Sequence, residues 1–437
     1  MKTQYSLKNH FTHIFVLTSL AGWIAFPGPA RSQIWTQTGA PAEYWACTAA
    51  SSADGSKLAA GVMGGAIYTS TNSGTTWTAS TPPSLYDWWY GLACSADGTT
   101  LVAFGTSDWA DTTGSTIYVS TNAGVTWTAA NALSNPYIWW GIACSGDGTK
   151  MVAASGPSSG TGDGFIYTST NSGFTWTQTS APDSPLWSAV GSSADGSTLV
   201  AGLYNQGIYR STNSGATWSP ATTPTANWYA FASSADGSKW VAAASSDPGS
   251  PSATAGIYTS TNAGASWKKT SLPVESWACV ASSADGTILA AMAWFGVPIY
   301  LSTDSGTTWW TSTTGPGCWG ALAMSADGTQ LIVPTGPTGL SGGAFTFGSR
   351  STFGIWTLGI YPHPLPSLSI TPGAGNAMIS WTIPVRNSAL QQNSSLATTN
   401  WSNVATSPVL NLTNFQNQVT VPAPSSGNLF YRLKHSK

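Results

Sequence analysis

Short apolar runs recur along the chain in pairs, and each pair is separated by Ser-Ala-Asp-Gly, once Ser-Gly-Asp-Gly, with aspartates at Asp54, Asp97, Asp147, Asp195, Asp236, Asp285 and Asp327. Asp-Gly between apolar runs is a strong local signal for a tight hairpin. A second pattern runs in step with it: Ile67-Tyr68-Thr69-Ser70-Thr71-Asn72-Ser73-Gly74-Thr75-Thr76-Trp77 returns, little changed, in copies ending at Trp127, Trp176, Trp218, Trp267 and Trp309. Each copy reads as an outgoing strand, a turn and a returning strand. The Asn or Asp side chain folds back onto nearby backbone N–H groups, and Gly takes the left-handed position that other residues resist. Two hairpins in every period of 41 to 50 residues make four strands per period.

Four-stranded units at that period predict an all-β fold, a seven-bladed β-propeller, because one unit cannot bury its own apolar face and seven can do so by leaning on one another. In chain order, Lys2, Lys8, the apolar run Ile14 to Phe26 and the small-x-small site Ala30-Arg31-Ser32 predict an export signal over residues 1–32. The propeller is expected over 33–358. It opens on Ile34-Trp35-Thr36-Gln37, a returning strand without the rest of its blade. Six full units follow. A seventh begins at Cys318-Trp319 and continues through Leu331-Ile332-Val333 and Phe345-Thr346-Phe347 without a clean second turn. The N-terminal strand is therefore expected to supply the missing outer strand and close the ring, with Ile355-Trp356-Thr357 as the rival closure. Pro362, Pro364 and Pro366 mark a linker over 359–367, and short alternating strands over 368–437 predict a small β-sandwich of fibronectin- or immunoglobulin-like type.

Composition sharpens this picture. Only 7% of residues are charged, against 47 Gly and 24 Trp, which suits strands and turns and not helices. Residues 33–361 hold all 16 acids and seven bases, a net charge of −9; Arg386, Arg432, Lys434 and Lys437 put residues 362–437 at +4, and Lys2, Lys8 and Arg31 put the first 32 residues at +3. An acidic propeller with no basic stripe argues against nucleic acid. The five cysteines, Cys47, Cys94, Cys144, Cys279 and Cys318, follow the blade period and read as small buried residues, with one bridge between neighbouring inner strands left open. The histidines are His10, His13, His363 and His435, so the propeller has none for a serine or cysteine triad or a zinc site. No phosphate-binding glycine loop, metal or cofactor is expected. With no later apolar run of spanning length, the protein is expected to be exported, as a secreted or cell-surface monomer.

Blade connectivity sorts the loops. Both hairpin turns of a blade lie on one face, and the other two loops lie on the opposite face. The acids outside the turns, Glu43, Asp87, Asp108, Asp111, Asp163, Asp183, Asp247 and Glu275, all fall on the loop face and are the candidates if two carboxylates perform glycoside chemistry. The same face gathers aromatic residues. One Trp starts each inner strand: Trp45, Trp89, Trp139, Trp187, Trp228, Trp277 and Trp319. Others stand outside the repeat: Tyr86, Trp88, Trp109, Tyr137, Trp140, Trp294 and Phe295. Indoles beside carboxylates suit sugar stacking, so Trp88, Trp89, Trp109, Trp140, Trp187, Trp228, Trp277, Trp294 and Trp319 are the expected ligand-binding residues, for a polysaccharide or a protein partner. The periodic Trp residues also suit packing between blades, and the non-periodic ones are the better site candidates.

The repeat Ser302-Thr303-Asp304-Ser305-Gly306-Thr307-Thr308-Trp309 resembles the Asp-box of the bacterial neuraminidase repeat, with Asn replacing Asp in five of six copies. That group includes sialidases, xyloglucanase-type glycoside hydrolases, sortilin-type receptors and photosystem II assembly factor-like propellers, and its boxes are structural, so the resemblance implies architecture and leaves activity open. A sialidase would need an arginine triad, whereas this propeller has only Arg210 and Arg350. The single ring is closest in size to the assembly-factor branch. The end of the chain, with Leu390-Gln391-Gln392-Asn393, Trp401 and Phe430-Tyr431-Arg432-Leu433, resembles terminal modules of exported bacterial proteins. The leading expectation is a non-enzymatic binding protein, with a glycoside hydrolase or lyase and a purely structural propeller as alternatives.

Overall fold

A computed structural model describes residues 15–17, 33–43, 45–80, 88–106, 115–130, 137–157, 163–245, 253–293, 298–312, 321–335, 340–341, 344–345, 354–360, 369–373, 376–382, 388–394, 402–405, 409–411, 416–422 and 429–435. These residues form strands and turns with no helix. The chain divides into one compact unit over Gln33–Pro362 and a second that combines Met1–Ser32 with His363–Lys437.

The first unit is a ring of seven four-stranded antiparallel blades. Blade 1 shows the plan: Trp45–Ser51 innermost, then Leu58–Val62, Ile67–Ser70 and Thr78–Ser80 outermost. Blade 7 is composite. Ala323–Met324, Gln330–Thr335 and Gly354–Ile360 come from the end of the unit, and Gln33–Gln37 from its start completes the sheet. The two rival closures are therefore consecutive strands of one blade. Trp356 lies in the third strand and Trp35 in the fourth, with Gln37 opposite Trp356 and Trp35 opposite Leu358. One expectation is corrected: Ala344–Phe345 pairs with Leu340–Ser341 in a separate hairpin, so the third strand of blade 7 is not 345–347. Phe345 and Phe347 alternate as a strand would, but Ile355, Leu358 and Ile360 are the residues that bury themselves in the core. The strand also runs past the boundary expected at 358.

Local chemistry explains the repeating turns. In blade 1 the Ser70 hydroxyl donates to Asn72 Oδ1 (3.0 Å) and accepts from Gly74 N–H (2.9 Å), while Asn72 Oδ1 also accepts from Thr76 N–H (2.9 Å). The Asn72 amide donates to Thr76 Oγ1 at 2.9 Å; where the residue is Asp304, its Oδ2 accepts from Thr308 Oγ1 at 2.6 Å. Threonine supplies whichever half of the bond is missing, which is why either residue serves. Gly74 sits at φ +82°, and Ser73 before it at +54°, a conformation that a side chain resists and that the turn's hydrogen bonds hold.

The Asp-Gly turns use the same logic and join the blades. Asp54 Oδ1 accepts from the Ser52 hydroxyl (2.6 Å) and from Ser56 N–H (3.0 Å). Next to it runs a closed circuit of backbone hydrogen bonds: Ala53 N–H to Ala96 O, Ala96 to Gly146, Gly146 to Ala194, Ala194 to Ala235, Ala235 to Ala284, Ala284 to Ala326, and Ala326 back to Ala53, all between 2.6 and 2.9 Å. Small residues at this position let the seven innermost strands approach one another. Three lysines add cross-blade ties, donating from Nζ to the next turn's aspartate carbonyl: Lys57 to Asp97, Lys150 to Asp195 and Lys239 to Asp285.

The serine hydroxyls beside Asp54, Asp97 and Asp195, followed by the backbone and side-chain donors two residues on, hold these carboxyls down to about 2. Asp147 and Asp236 are lowered for the same reasons. A carboxyl lowered by folding contributes stability that is complete above its unfolded value, near pH 4, and disappears as pH falls toward the folded value. Acid unfolding, followed by tryptophan fluorescence, is therefore expected between about pH 4 and pH 2. Asp97→Asn is expected to reduce stability at pH 7 and to flatten its loss on acidification.

In the second unit, Ser369–Gly373, Asn376–Thr382, Val409–Asn411 and Gln416–Pro422 form one four-stranded sheet. Ser388–Asn393, Ser402–Asn403, Leu429–His435 and Phe15–Leu17 form another. Ile379, Leu390, Val419, Val421 and Tyr431 are buried there. The segment read as an export signal lies outside the described residues except for Phe15–Leu17, which pairs antiparallel with Leu429–Tyr431. An apolar segment is satisfied by an open strand edge.

Candidate ligand-binding face

The loop face is built by the ends of the innermost strands. In blades 2 to 6 the register of that strand slips by one residue just after its periodic Trp: between Trp89 and Gly91, Trp139 and Gly141, Trp187 and Ala189, Trp228 and Ala230, and Trp277 and Cys279. A bulge places two successive residues opposite one partner and re-aims the extra side chain. In blades 2, 3 and 5 the first of these two residues is buried and the second exposed.

The inward residue is the periodic Trp. Trp45, Trp89, Trp139, Trp187, Trp228 and Trp277 are all 3% exposed or less. Each indole meets the tyrosine of its own third strand edge-on, at 5.4 Å for Trp45–Tyr68, 5.8 Å for Trp89–Tyr118 and 5.1 Å for Trp228–Tyr258. Each also wedges against the preceding blade. Trp89 packs with Ala59 and Ile67 of blade 1, and Trp228 with Val200 and Ile208 of blade 4. Burying about 150–250 Å² of ring here stabilises the joint by several kcal/mol, about 4–6 kcal/mol at the upper limit. Trp89, Trp187, Trp228 and Trp277 are thus placed in the core and offer no ring face to a ligand, which corrects their assignment as binding residues. The packing reading applies to them.

The residue after the Trp differs from blade to blade. It is Tyr90 in blade 2, Trp140 in blade 3, Tyr229 in blade 5, the half-buried Ser188 in blade 4 and the buried Ala278 in blade 6. Tyr90 is 43% exposed, Trp140 49% and Tyr229 39%. Three rings of comparable exposure thus share one structural position, the residue after the buried Trp of each bulge. The Trp140 indole lies over Gly156, where a Cβ would come within 2.7 Å of Nε1, so a glycine is needed beneath it. Ser188 donates to Trp228 O at 2.6 Å and to Gly202 O at 3.1 Å, holding blade 4 against blade 5 between the rings. Trp88 is half-buried, and Trp109, Trp294 and Trp319 lie outside the described residues. Tyr90 and Tyr229 were missed in the sequence because they stand in the shadow of a regular Trp. The usable signal is variation immediately after an invariant register position.

Of the eight loop-face acids, Asp163, Asp183 and Glu275 are exposed and Glu43 is half-buried, while Asp87, Asp108, Asp111 and Asp247 lie outside the described residues. Burial, and then the Glu43 carboxylate, raises the Tyr68 hydroxyl; burial, and then Glu275, raises that of Tyr300. Among the described residues no group of three or more His, Cys, Asp or Glu is gathered that could hold a metal ion. Cys94, Cys144 and Cys279 are free thiols, and burial pushes Cys94 up to about 12 and raises Cys144 as well, which leaves them poor nucleophiles. The side chains of Cys47 and Cys318 lie outside the described residues.

The ring of seven blades, its composite closure and the bulged inner strands define a β-propeller. Solved structures share this fold. The GH74 xyloglucanase from Xanthomonas campestris is similar with a TM-score of 0.55 and 17% identity, over 80% of this chain and 60% of the enzyme. U3-55K is similar with a TM-score of 0.56 and 11% identity over 76% of this chain and all of that one, and the RRP9 WD40 repeats with 0.55 and 11% over 77% and 99%. The present chain thus spans about three fifths of the xyloglucanase. No protein-family model matches the sequence, and no curated protein does either.

Proposed function

We propose that the propeller is a non-enzymatic binding module that holds a polysaccharide across the loop-side mouth of its ring, in an exported protein whose second unit is a fibronectin-like terminal module. The observation that carries this reading is the set of exposed rings at one bulge position, Tyr90, Trp140 and Tyr229. An aromatic ring set in a rigid strand stacks on the apolar face of a pyranose with little loss of side-chain freedom, and its hydroxyl or N–H serves the sugar's own hydroxyls. The Asn/Asp turns support the Asp-box reading as scaffold, since their side-chain oxygens are engaged within the turn. The export signal and its cleavage after Ser32 belong to the same proposal.

Affinity electrophoresis with soluble polysaccharides tests it. The wild-type protein is expected to be retarded by at least one of them. Replacing Tyr90, Trp140 and Tyr229 together by Ala is expected to weaken binding at least a hundredfold, at about 1–2 kcal/mol per ring. Binding that survives this triple change would refute the site. Release of new reducing ends would instead favour a glycoside hydrolase acting through loop carboxylates. Capture of a protein and no polysaccharide would replace the ligand class.

A further inference from the structure

Blades 1 and 4 make the same tight connection between their second and third strands, but fill it differently. In blade 1 the turn is Met63-Gly64-Gly65-Ala66, closed by Val62 N–H to Ala66 O (3.0 Å) and Gly65 N–H to Val62 O (3.2 Å). In blade 4 it is Tyr204-Asn205-Gln206-Gly207, closed by Leu203 N–H to Gly207 O (3.1 Å) and Gln206 N–H to Leu203 O (3.4 Å). Each turn offers its third carbonyl to the buried Trp of the next blade: Gly65 O accepts from Trp89 Nε1 at 2.8 Å, and Gln206 O from Trp228 Nε1 at 3.0 Å. The second residue is left-handed in both, Gly64 at φ +66° and Asn205 at φ +56°. Glycine fills that scaffold role without a side chain, and it resists the left-handed conformation less than asparagine does. The side chains of Asn205 and Gln206, both exposed, are therefore surplus to the turn.

The blade 4 turn also lies between two of the exposed rings. On one side, a Cβ on Gly156 would sit 2.7 Å from Trp140 Nε1 and 3.4 Å from Pro185 O, and the next carbonyl along, Leu186 O, accepts from Tyr204 N–H at 2.7 Å. On the other side, Gln206 O accepts from Ala226 N–H at 3.0 Å as well as from Trp228, whose neighbour in sequence is Tyr229. Trp140, the turn and Tyr229 thus follow one another from blade 3 across blade 4 to blade 5. Resting on the polysaccharide reading above, we infer that Asn205 and Gln206 are the hydroxyl-recognising groups of that site, set between two stacking rings, and that they select a neutral, linear run of sugars crossing blade 4.

A primary amide both donates and accepts, so one such group engages two neighbouring sugar hydroxyls at once. The rings on either side fix the planes of the flanking sugars, and the amides read the edges of those between. A single file of contacts suits an unbranched chain. None of Trp140, Asn205, Gln206 and Tyr229 carries a charge, so nothing in the row answers a uronate or a sulfate. Asp183, exposed two residues before Pro185 in the connection into blade 4, would repel one.

Affinity electrophoresis of the full chain against mixed-linkage β-glucan and glucomannan, with alginate as the anionic counterpart, tests this. Retardation by a neutral polymer and none by alginate is expected. Asn205→Gly combined with Gln206→Gly copies the blade 1 turn, so Tm is expected to hold while binding weakens about tenfold, the loss of one or two neutral hydrogen bonds. Affinity for gluco-oligosaccharides is expected to climb with length until one chain reaches from Trp140 to Tyr229, and to climb less in the double variant. If the double variant binds as wild type while the Tyr90, Trp140 and Tyr229 triple variant does not bind, this inference fails and the proposed function stands. Should Tm and affinity fall together, Gln206→Ala alone, which leaves the left-handed residue in place, decides: wild-type affinity there overturns the inference. Stronger binding of alginate overturns the selectivity. If no polysaccharide binds, both readings fall together.

Discussion

A chain that begins after Gln37 is expected to lose about 3–5 kcal/mol of stability and about 5 °C of Tm, and to self-associate more readily than the full ring. The removed residues contribute five backbone pairings, from Gln33 opposite Ile360 to Gln37 opposite Trp356, and the half-buried Trp35 packed against the cluster of Leu331, Val333 and Leu358. Without them Gly354–Ile360 becomes an open edge, a template for another chain. Because each blade leans on two neighbours, an opening at one joint weakens the next. Calorimetry and light scattering on the two lengths check this, and an unchanged Tm would show that the ring closes without its fourth strand.

The second large effect separates tryptophans that look alike in the sequence. Trp228→Ala is expected to destabilise the propeller by about 3–5 kcal/mol, whereas Trp140→Ala should change stability by about 0.5 kcal/mol or less and act on binding alone. Trp228 is fully buried, meets Tyr258, Phe231 and Trp267 within 6.4 Å, and closes the joint between blades 4 and 5. Trp140, at 49% exposure, has water on one face. Urea denaturation of the two variants gives the comparison, and equal losses would mean that Trp140 is a packing residue as well.

The contrast also explains what could be read beforehand. Turn chemistry is local: Ser70, Asn72, Gly74 and Thr76 satisfy one another within seven residues, so the sequence displays every turn, and with the turns the strand order, the blade number and the two faces follow. Blade 7 was harder because its closure is not local; Gln37 and Trp356 pair only after the ring forms. The site was harder still. Which of Trp89 and Tyr90 faces inward is settled by the bulge, and the bulge is set by packing of one blade on the next, for which adjacent letters carry no periodic mark. Glu43, Asp163, Asp183 and Glu275 lie in connections between blades or between the second and third strands of a blade, and the other four loop acids fall outside the described residues.

The circuit of amide links from Ala53 round to Ala326 and back has one further consequence, for how such a molecule could change its size. Every link points the same way round, so each strand hands on one donor and receives one, and no member is special. A duplicated blade can enter only by cutting a single link and making two, with its own alanine at the matching place; half a blade would strand a peptide group with nothing to hold. Growth or loss by whole modules is thereby permitted and drift by fragments is penalised, whatever the outer loops have evolved to grip.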